Sequence, residues 1–186
     1  DLEEVLEAFN DINGVEYAEK VPIYSKYYVP NDPNYGPGNQ WYLYQINADQ
    51  AWNYSQGNSN IVIAVVDDAV DIDHPDLSPV LWVNNGEIPN NNQDDDNNGY
   101  VDDINGADVA NGTGNPRPGL PVSDFDHGTH VAGCAAGATD NNVGVASIGF
   151  GVSIMSLRCA DNAGQLTSTL DGVLYAIENG ANVINM

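Results

Sequence analysis

The sequence predicts an α/β fold, a parallel β-sheet flanked by helices. Three observations carry this. Residues 61–67, 152–158 and 181–186 are short runs dominated by aliphatic side chains, with none of the strict apolar–polar alternation of a half-solvated strand. Segments of helical pattern stand between them. Strands that read as continuous apolar runs are those buried on both faces, which in a parallel sheet are covered by crossover helices.

The elements follow in order. Leu2, Val5, Leu6 and Phe9 fall at i, i+3, i+4 and i+7, one apolar face of a helix. Asn13-Gly14 is a turn, and Val15 and Tyr17 alternate with polar residues as in a strand. Residues 29–52 are rich in Pro, Asn, Gly and Tyr and read as irregular, with a short helix near residues 49–54. The strand 61–67 ends at Asp67-Asp68, and a long polar loop leads to a helix opening at His127. After the strand 152–158, Leu166, Leu170, Val173, Leu174 and Ile177 mark one face of a helix over 165–179. Gly180 is placed to end it in a left-handed conformation, before the strand 181–186. In such sheets functional groups gather at the carboxyl ends of strands, and Asp67 occupies one.

Composition narrows the function. With 186 residues, one domain or part of one is expected, and 42% hydrophobic residues allow a core. The 27 acidic residues against 4 basic ones give a formal net charge of −23. That balance argues against nucleic acid and against anionic membrane surfaces as partners. Acidic side chains clustered in loops suit hard cations, calcium first; adaptation to a salt-rich habitat is the other reading. No run approaches the ~20 apolar residues of a membrane-spanning helix. The chain opens at Asp1 without a basic-then-apolar leader, so a processed product is expected. Cys134 and Cys159 do not make a disulfide framework, and Cys134, among small helical residues, reads as a buried free thiol.

A carboxylate at a buried strand tip and a histidine opening a helix are two members of a charge-relay site. Alone, Asp67 reads equally well as a turn residue and His127 as a cap or a satisfied core group. Together they stand in the order acid then histidine, one of the orders in which unrelated serine hydrolases arrange their triads. The surrounding motifs decide between these readings. Asp67-Asp68-Ala69-Val70-Asp71-Ile72-Asp73-His74-Pro75-Asp76-Leu77 resembles the aspartate motif of subtilisin-like proteases, and His127-Gly128-Thr129-His130-Val131-Ala132-Gly133 their histidine motif. Asn182-Val183-Ile184-Asn185-Met186 is similar to the strand before their substrate-binding segment. The likeness covers roughly residues 28–186. It implies the three-layer subtilisin-like fold, with only its N-terminal half in this chain. It also implies Asp67 and His127 as catalytic residues, with the serine nucleophile and the oxyanion asparagine outside the chain. Ser156 and Ser168 lack a nucleophile's setting. Asp68 and Ala69 depart from the family's usual small residue and glycine, which puts the geometry of that turn in question.

The same resemblance implies further sites. In 162–166, Ala163, Gly164 and Leu166 match the segment whose backbone pairs with an extended peptide substrate; the plain alternative is a loop before a helix. Asp32, Asp76 and Asn141 match side-chain ligands of the family's strong calcium site, and Ala138, Val143 and Val145 its carbonyl donors. A second cation site is readable without the family. Asp94, Asp96, Asn98, Tyr100 and Asp102 carry oxygens at the spacing of the front half of an EF-hand loop, with Gly99 at the sharp turn. Asn105 stands where the bidentate glutamate belongs, so the loop is EF-like only, and a solvated acidic insertion is its alternative.

The expected whole is a secreted, calcium-stabilised serine endopeptidase acting on protein or peptide substrates, with no nucleic-acid or membrane partner. Residues 1–26 resemble the C-terminal part of an inhibitory propeptide and 27–186 the N-terminal half of the peptidase domain. The remainder of the protease, possible as a separate chain, is its expected partner, and self-cleavage is expected between about Tyr24 and Tyr28. This chain alone is expected to be inactive. The alternative from another class is a catalytically inactive, calcium-binding scaffold of the same shape.

Overall fold

A computed structural model describes residues 1–20 and 28–186. The boundary expected between propeptide and peptidase lies outside the described residues. Four strands form one parallel sheet in the order β2-β3-β1-β4: β1 (Val62–Asp67), β2 (Gly106–Asp108), β3 (Ser153–Arg158) and β4 (Val183–Asn185). β1 and β3 run side by side from Val62 opposite Ser153 to Asp67 opposite Arg158. Both are central strands, and all but one of their residues are buried; β1 is accordingly aliphatic up to Asp67, while β3 buries Ser153, Ser156 and Arg158 among its apolar residues.

Alternate residues of β1 feed two cores. Val62, Ala64 and Val66 join Met155, Leu157, Tyr175 and Ala176 on the side of helix α5 (Thr169–Glu178). Val65 joins Ile154, Ala132 and Ala136 on the side of helix α4 (His127–Ala136). Helix α4 reaches the sheet through small residues, Gly128, Ala132 and Ala136, whereas α5 buries Gly172 and Ala176 together with the large Tyr175. A Cβ on Gly172 would stand 2.6 Å from Cys159 Sγ and 2.9 Å from Val66 Cγ1. A third cluster packs Leu43 of helix α2 (Trp41–Gln45) and Ala48 of helix α3 (Ala48–Ala51) with Trp52 and Ala146. The edge of Trp52 meets Phe150 with ring centroids 5.7 Å apart.

Several sequence expectations change here. The helix expected over 165–179 begins only at Thr169, and Leu166 instead bridges Ala160. Leu170, Leu174 and Ile177 of its apolar stripe are exposed, while Val173 packs against the core and the sheet-facing side carries Gly172, Tyr175 and Ala176. Gly180 does adopt the left-handed conformation expected, at φ 77°. At the N-terminus, helix α1 (Leu2–Asn10) is capped by Asp1, whose carboxylate accepts from the amides of Glu3 and Glu4. The strand expected from Val15 is not formed, and residues 15–20 lie in no sheet, held by bonds between Asn10 and the backbone of Ala18. Strand β2 was not anticipated. It is three residues long and begins at Gly106, where a Cβ would fall 1.9 Å from the Ser156 carbonyl oxygen.

Leu157 is fully buried in β3 among the side chains of the α5-side core. Leu157→Ala should cost about 2–5 kcal/mol of unfolding free energy. Urea denaturation followed by circular dichroism measures this, and an unchanged midpoint would contradict the packing described.

Candidate active site

Asp67 ends β1, and His127 is the first residue of α4. The imidazole Nδ1 lies 2.9 Å from each carboxylate oxygen of Asp67. The carboxylate is 9% exposed and the imidazole 71%, so the acid is shielded while the far side of the ring is open. Nε2 has no partner among the described residues. Such a pair holds the proton on Nδ1 and leaves Nε2 able to accept one.

Backbone contacts fix the pair. Asp67 Oδ1 also accepts from the Asp68 amide at 2.7 Å. The Asp68 carboxylate accepts from its neighbour Ala69 at 2.6 Å and, across the site, from the amides of His127 at 3.1 Å and Gly128 at 2.8 Å. Gly128 is required where strand end and helix start touch: a Cβ there would be 2.3 Å from the Ala69 carbonyl oxygen and 2.8 Å from Asp67 Cβ. Ala69 stands outside the left-handed region and packs with Phe125 and Ala160, so this turn needs no glycine at that position.

The hydrogen bond that His127 donates to Asp67, and then the charge of that carboxylate, raise His127 above the ordinary histidine value of 6.5. Partial burial opposes this, and the charges of Asp68 and Asp126 add to it. The group's folded-state pKa is raised, so its contribution to stability is complete below about pH 6.5 and is lost as pH rises through the folded value. Burial pushes the Cys159 thiol up to about 12, an unreactive core group.

The segment matched to substrate binding is a closed turn. The amides of Ala163 and Gln165 both donate to Asp161 Oδ1, at 2.8 and 3.0 Å, and that of Gly164 to the Asp161 carbonyl at 3.1 Å. The bonds flanking the Ala160–Leu166 bridge run from Asp161 to Gln165 and from Thr167 to Cys159. Leu166 is therefore in a non-bonded pair, and its own peptide groups face away from Ala160. Among the expected binding residues, Leu166 offers a free amide, whereas Ala163 and Gly164 do not. Arg158, which the sequence did not single out, anchors this turn from below. It donates to the Ala160 carbonyl and to Asn162 Oδ1, each at 3.2 Å, pairs with buried Asp108 at 3.4 Å and lies 4.8 Å from the centre of the Phe125 ring.

The two expected cation sites differ. Asp32 and Asp76 are buried against the loop 138–145. Asp32 Oδ2 accepts from the Asp140 amide at 2.8 Å, while its buried Oδ1 has no partner. Asp76 accepts from Asn141 Nδ2 at 2.8 Å and from the Val145 amide at 2.9 Å, and Asn141 Oδ1 accepts from the Val143 amide at 2.7 Å. Ala138 donates its amide to the Asp76 carbonyl. A buried carboxylate oxygen without a donor is costly, and a hard cation is the group that would satisfy it.

In the EF-like loop the carboxylates are arranged otherwise than the spacing suggests. Asp94 accepts from the amides of Asn98 and Gly99, and Asp102 from those of Asn91 and Asn92. Asn98 Oδ1 accepts from the Tyr100 amide, and the Tyr100 ring packs edge-on against Tyr175. The oxygens that do converge belong to Glu87, Asp96 and Asp103, all within 4.8 Å of one another. Asp96 is the one member the spacing identified; Glu87 and Asp103 came from outside the counted positions. Burial raises the Asp103 carboxyl above its ordinary value despite bonds from Tyr175, Asn98 and Asn84.

A model of the subtilase family, peptidase S8, matches residues 58–186. The chain belongs to the subtilase family. It is 37% identical over 185 residues to the halolysin of Haloferax mediterranei, covering 99% of this chain and 31% of that protein. It is 34% identical over 174 residues to the halolysin-like extracellular serine protease Nep of Natrialba magadii, covering 92% of this chain and 28% of that one. Among solved structures, a protease of Pseudoalteromonas arctica superposes with a TM-score of 0.56 at 28% identity, over 84% of this chain and 50% of that one. The chain thus spans about a third of the length of these curated relatives.

For this subtilase chain the helix–strand contact at Gly128 is the close approach that bears directly on the acid–histidine pair. Gly128→Ala should destabilise the fold by about 1–3 kcal/mol, as overpacking does, and draw the His127 ring off Asp67. Loss of the downfield imidazole N–H resonance of a carboxylate-bonded histidine would register the second effect. An unchanged resonance and melting temperature would count against this geometry.

Proposed function

We propose that the chain supplies the acid and the base of a serine endopeptidase acting on protein substrates. The observation that carries this is the 2.9 Å pairing of a shielded Asp67 with an imidazole whose Nε2 is open. In this reading Nε2 takes the proton of a serine hydroxyl as its oxygen attacks a peptide carbonyl. It then returns that proton to the leaving amine, and water repeats the sequence on the acyl-enzyme. Asp67 keeps the proton on Nδ1 and stabilises the imidazolium between the two transfers. In this reading, as the family resemblance implies, the serine nucleophile and the oxyanion asparagine lie outside this chain. The free peptide groups of Leu166 would pair with an extended substrate.

Secretion is supported by likeness to a protease named extracellular, and residues 1–26 are read as the end of an inhibitory propeptide. Calcium is read at two places. At the first, Asp32, Asp76 and Asn141 with the carbonyls of Ala138, Val143 and Val145 would hold it, supported by the partnerless buried oxygen of Asp32. At the second, Glu87, Asp96 and Asp103 form the nearest grouping. There the original ligand set of Asp94, Asp96, Asn98, Tyr100 and Asp102 would need its side chains to leave their present amide partners.

In the full-length protease His127→Ala should lower kcat by about a thousandfold or more, with KM little changed. The base must be neutral, so wild-type kcat/KM should rise with pH through a value above about 6.5, because Asp67 raises the His127 pKa. Activity of His127→Ala above a thousandth of wild type would remove the assignment.

Calcium at 100 times its dissociation constant should stabilise the folded protein by about 2.7 kcal/mol. Chelation should therefore lower the melting temperature and speed proteolysis in the loop 138–145, and Asp32→Asn should blunt the response to added calcium. A melting temperature indifferent to chelator, with no metal by elemental analysis, would leave the sites as solvated acidic loops.

A further inference from the structure

We propose that Asp68 is a positioning residue for the catalytic histidine. Its carboxylate fastens the first two amides of α4 to the end of β1 and so fixes where His127 stands on Asp67. The inference rests on the peptidase reading for its kinetic consequences and on the bonds themselves for the rest.

The contacts close into a ring. The Asp68 amide donates to Asp67 Oδ1, the same oxygen lies 2.9 Å from His127 Nδ1, and the His127 amide donates to Asp68 Oδ2 at 3.1 Å. Asp68 Oδ1 accepts from Gly128 and Ala69 as well. The main chain and the ring of His127 are thus each held by a carboxylate of two consecutive residues. A ring nitrogen placed by its side-chain bond alone could still swing with the helix; held also at its own amide, it cannot.

The helix does not provide this for itself. Its N-cap residue, Asp126, makes no side-chain capping bond. The amides at the start of an α-helix lack intrahelical partners and carry partial positive charge, so an anion there satisfies donors and complements the dipole. Asp68 is 8% exposed and spans the gap from another element. The small residue that usually follows the family's aspartate would be too short to take both amides as a carboxylate does. This explains the departure noted in the aspartate motif.

The charged groups facing His127 are Asp67 at the end of β1, Asp68 in the turn that follows and Asp126 from the turn before α4. Arg158, beside Asp67 in register on β3, is engaged with Asp108. Removing the Asp68 charge therefore leaves the imidazolium less favoured.

The test uses the full-length protease with Asp68→Asn and Asp68→Ser, a chromogenic peptide substrate, and NMR titration of the His127 imidazole. Asn keeps one acceptor oxygen of similar reach, and Ser keeps a shorter one. For Asp68→Ser, kcat should fall by about tenfold to a hundredfold, as a small misplacement of a catalytic group does, with KM nearly constant. Asp68→Asn should recover part of the loss. In both, the acid limb of kcat/KM and the His127 titration should move to lower pH. A folded Asp68→Ser or Asp68→Asn with lowered melting temperature but wild-type kcat, acid limb and His127 titration would overturn the proposal and leave Asp68 a plain helix cap. If Asp68→Ser fails to fold, Asp68→Asn alone decides by the same three readouts. If the wild type neither cleaves peptides nor reacts with a fluorophosphonate, the peptidase reading falls. The downfield imidazole N–H resonance of the carboxylate-bonded His127 in wild type and Asp68→Asn then still decides the positioning, its loss or displacement upholding it and an unchanged resonance ending it.

Discussion

A carboxylate closes a strand that otherwise carries only aliphatic side chains, and most of the architecture around it makes that tolerable. Asp67 shares the parallel ladder with β3, yet its side chain lies where the apolar layers end. A shielded carboxylate stays ionised only when donors surround it. One donor is local, the next amide in the chain; the other is an imidazole brought from sixty positions away by a helix that must approach almost to backbone contact. Close approach in turn requires glycine at the second helical position and small residues along the helix face that follows. The polar chemistry and the packing of α4 are thus one constraint, met by one sequence motif.

That coupling also explains what could be read in the chain. Residues 61–67 and 127–133 were legible because strand, helix and chemistry impose their demands on neighbouring positions, leaving a dense local pattern. The sheet was legible for the same reason in its central strands. Strand β2 was not, since three residues starting at a glycine have no periodicity, and their pairing is decided by β3. The apolar face of α5 was found, but hydrophobicity marks only a stripe and does not show which face meets the sheet: here Gly172, Tyr175 and Ala176 do, while Leu170, Leu174 and Ile177 are exposed. Arg158 looked like an ordinary strand-end residue, and its partners come from the end of β2, the turn before α4 and the loop 160–162.

The acidic loops teach a related point. Counting oxygens along residues 94–102 identified an acidic loop but not the side chains that converge within it. Short Asp and Asn side chains readily accept from amides a few residues away, and Asp94 and Asp102 do so. The carboxylates that converge are Asp96, which also accepts from the Asn98 amide, with Asp103 and with Glu87 from a preceding turn. At Asp32 the reverse holds: only one of its two oxygens finds an amide, and the other is stranded in the interior.

The ring of bonds through residues 67, 68 and 127 has a consequence for sequence drift. Gly128 leaves room for the Asp68 carboxylate to pass; a Cβ there would stand 3.0 Å from Asp68 Oδ1. Positions 68 and 128 are therefore not independent letters. A chain that exchanges Asp68 for a shorter side chain strands two helix amides and must find them another acceptor, from solvent, from the residue before the histidine, or from a loop carried in from elsewhere. Related chains would then be sorted into lineages by how they solve that small local problem, even where their acid–histidine pairs superimpose.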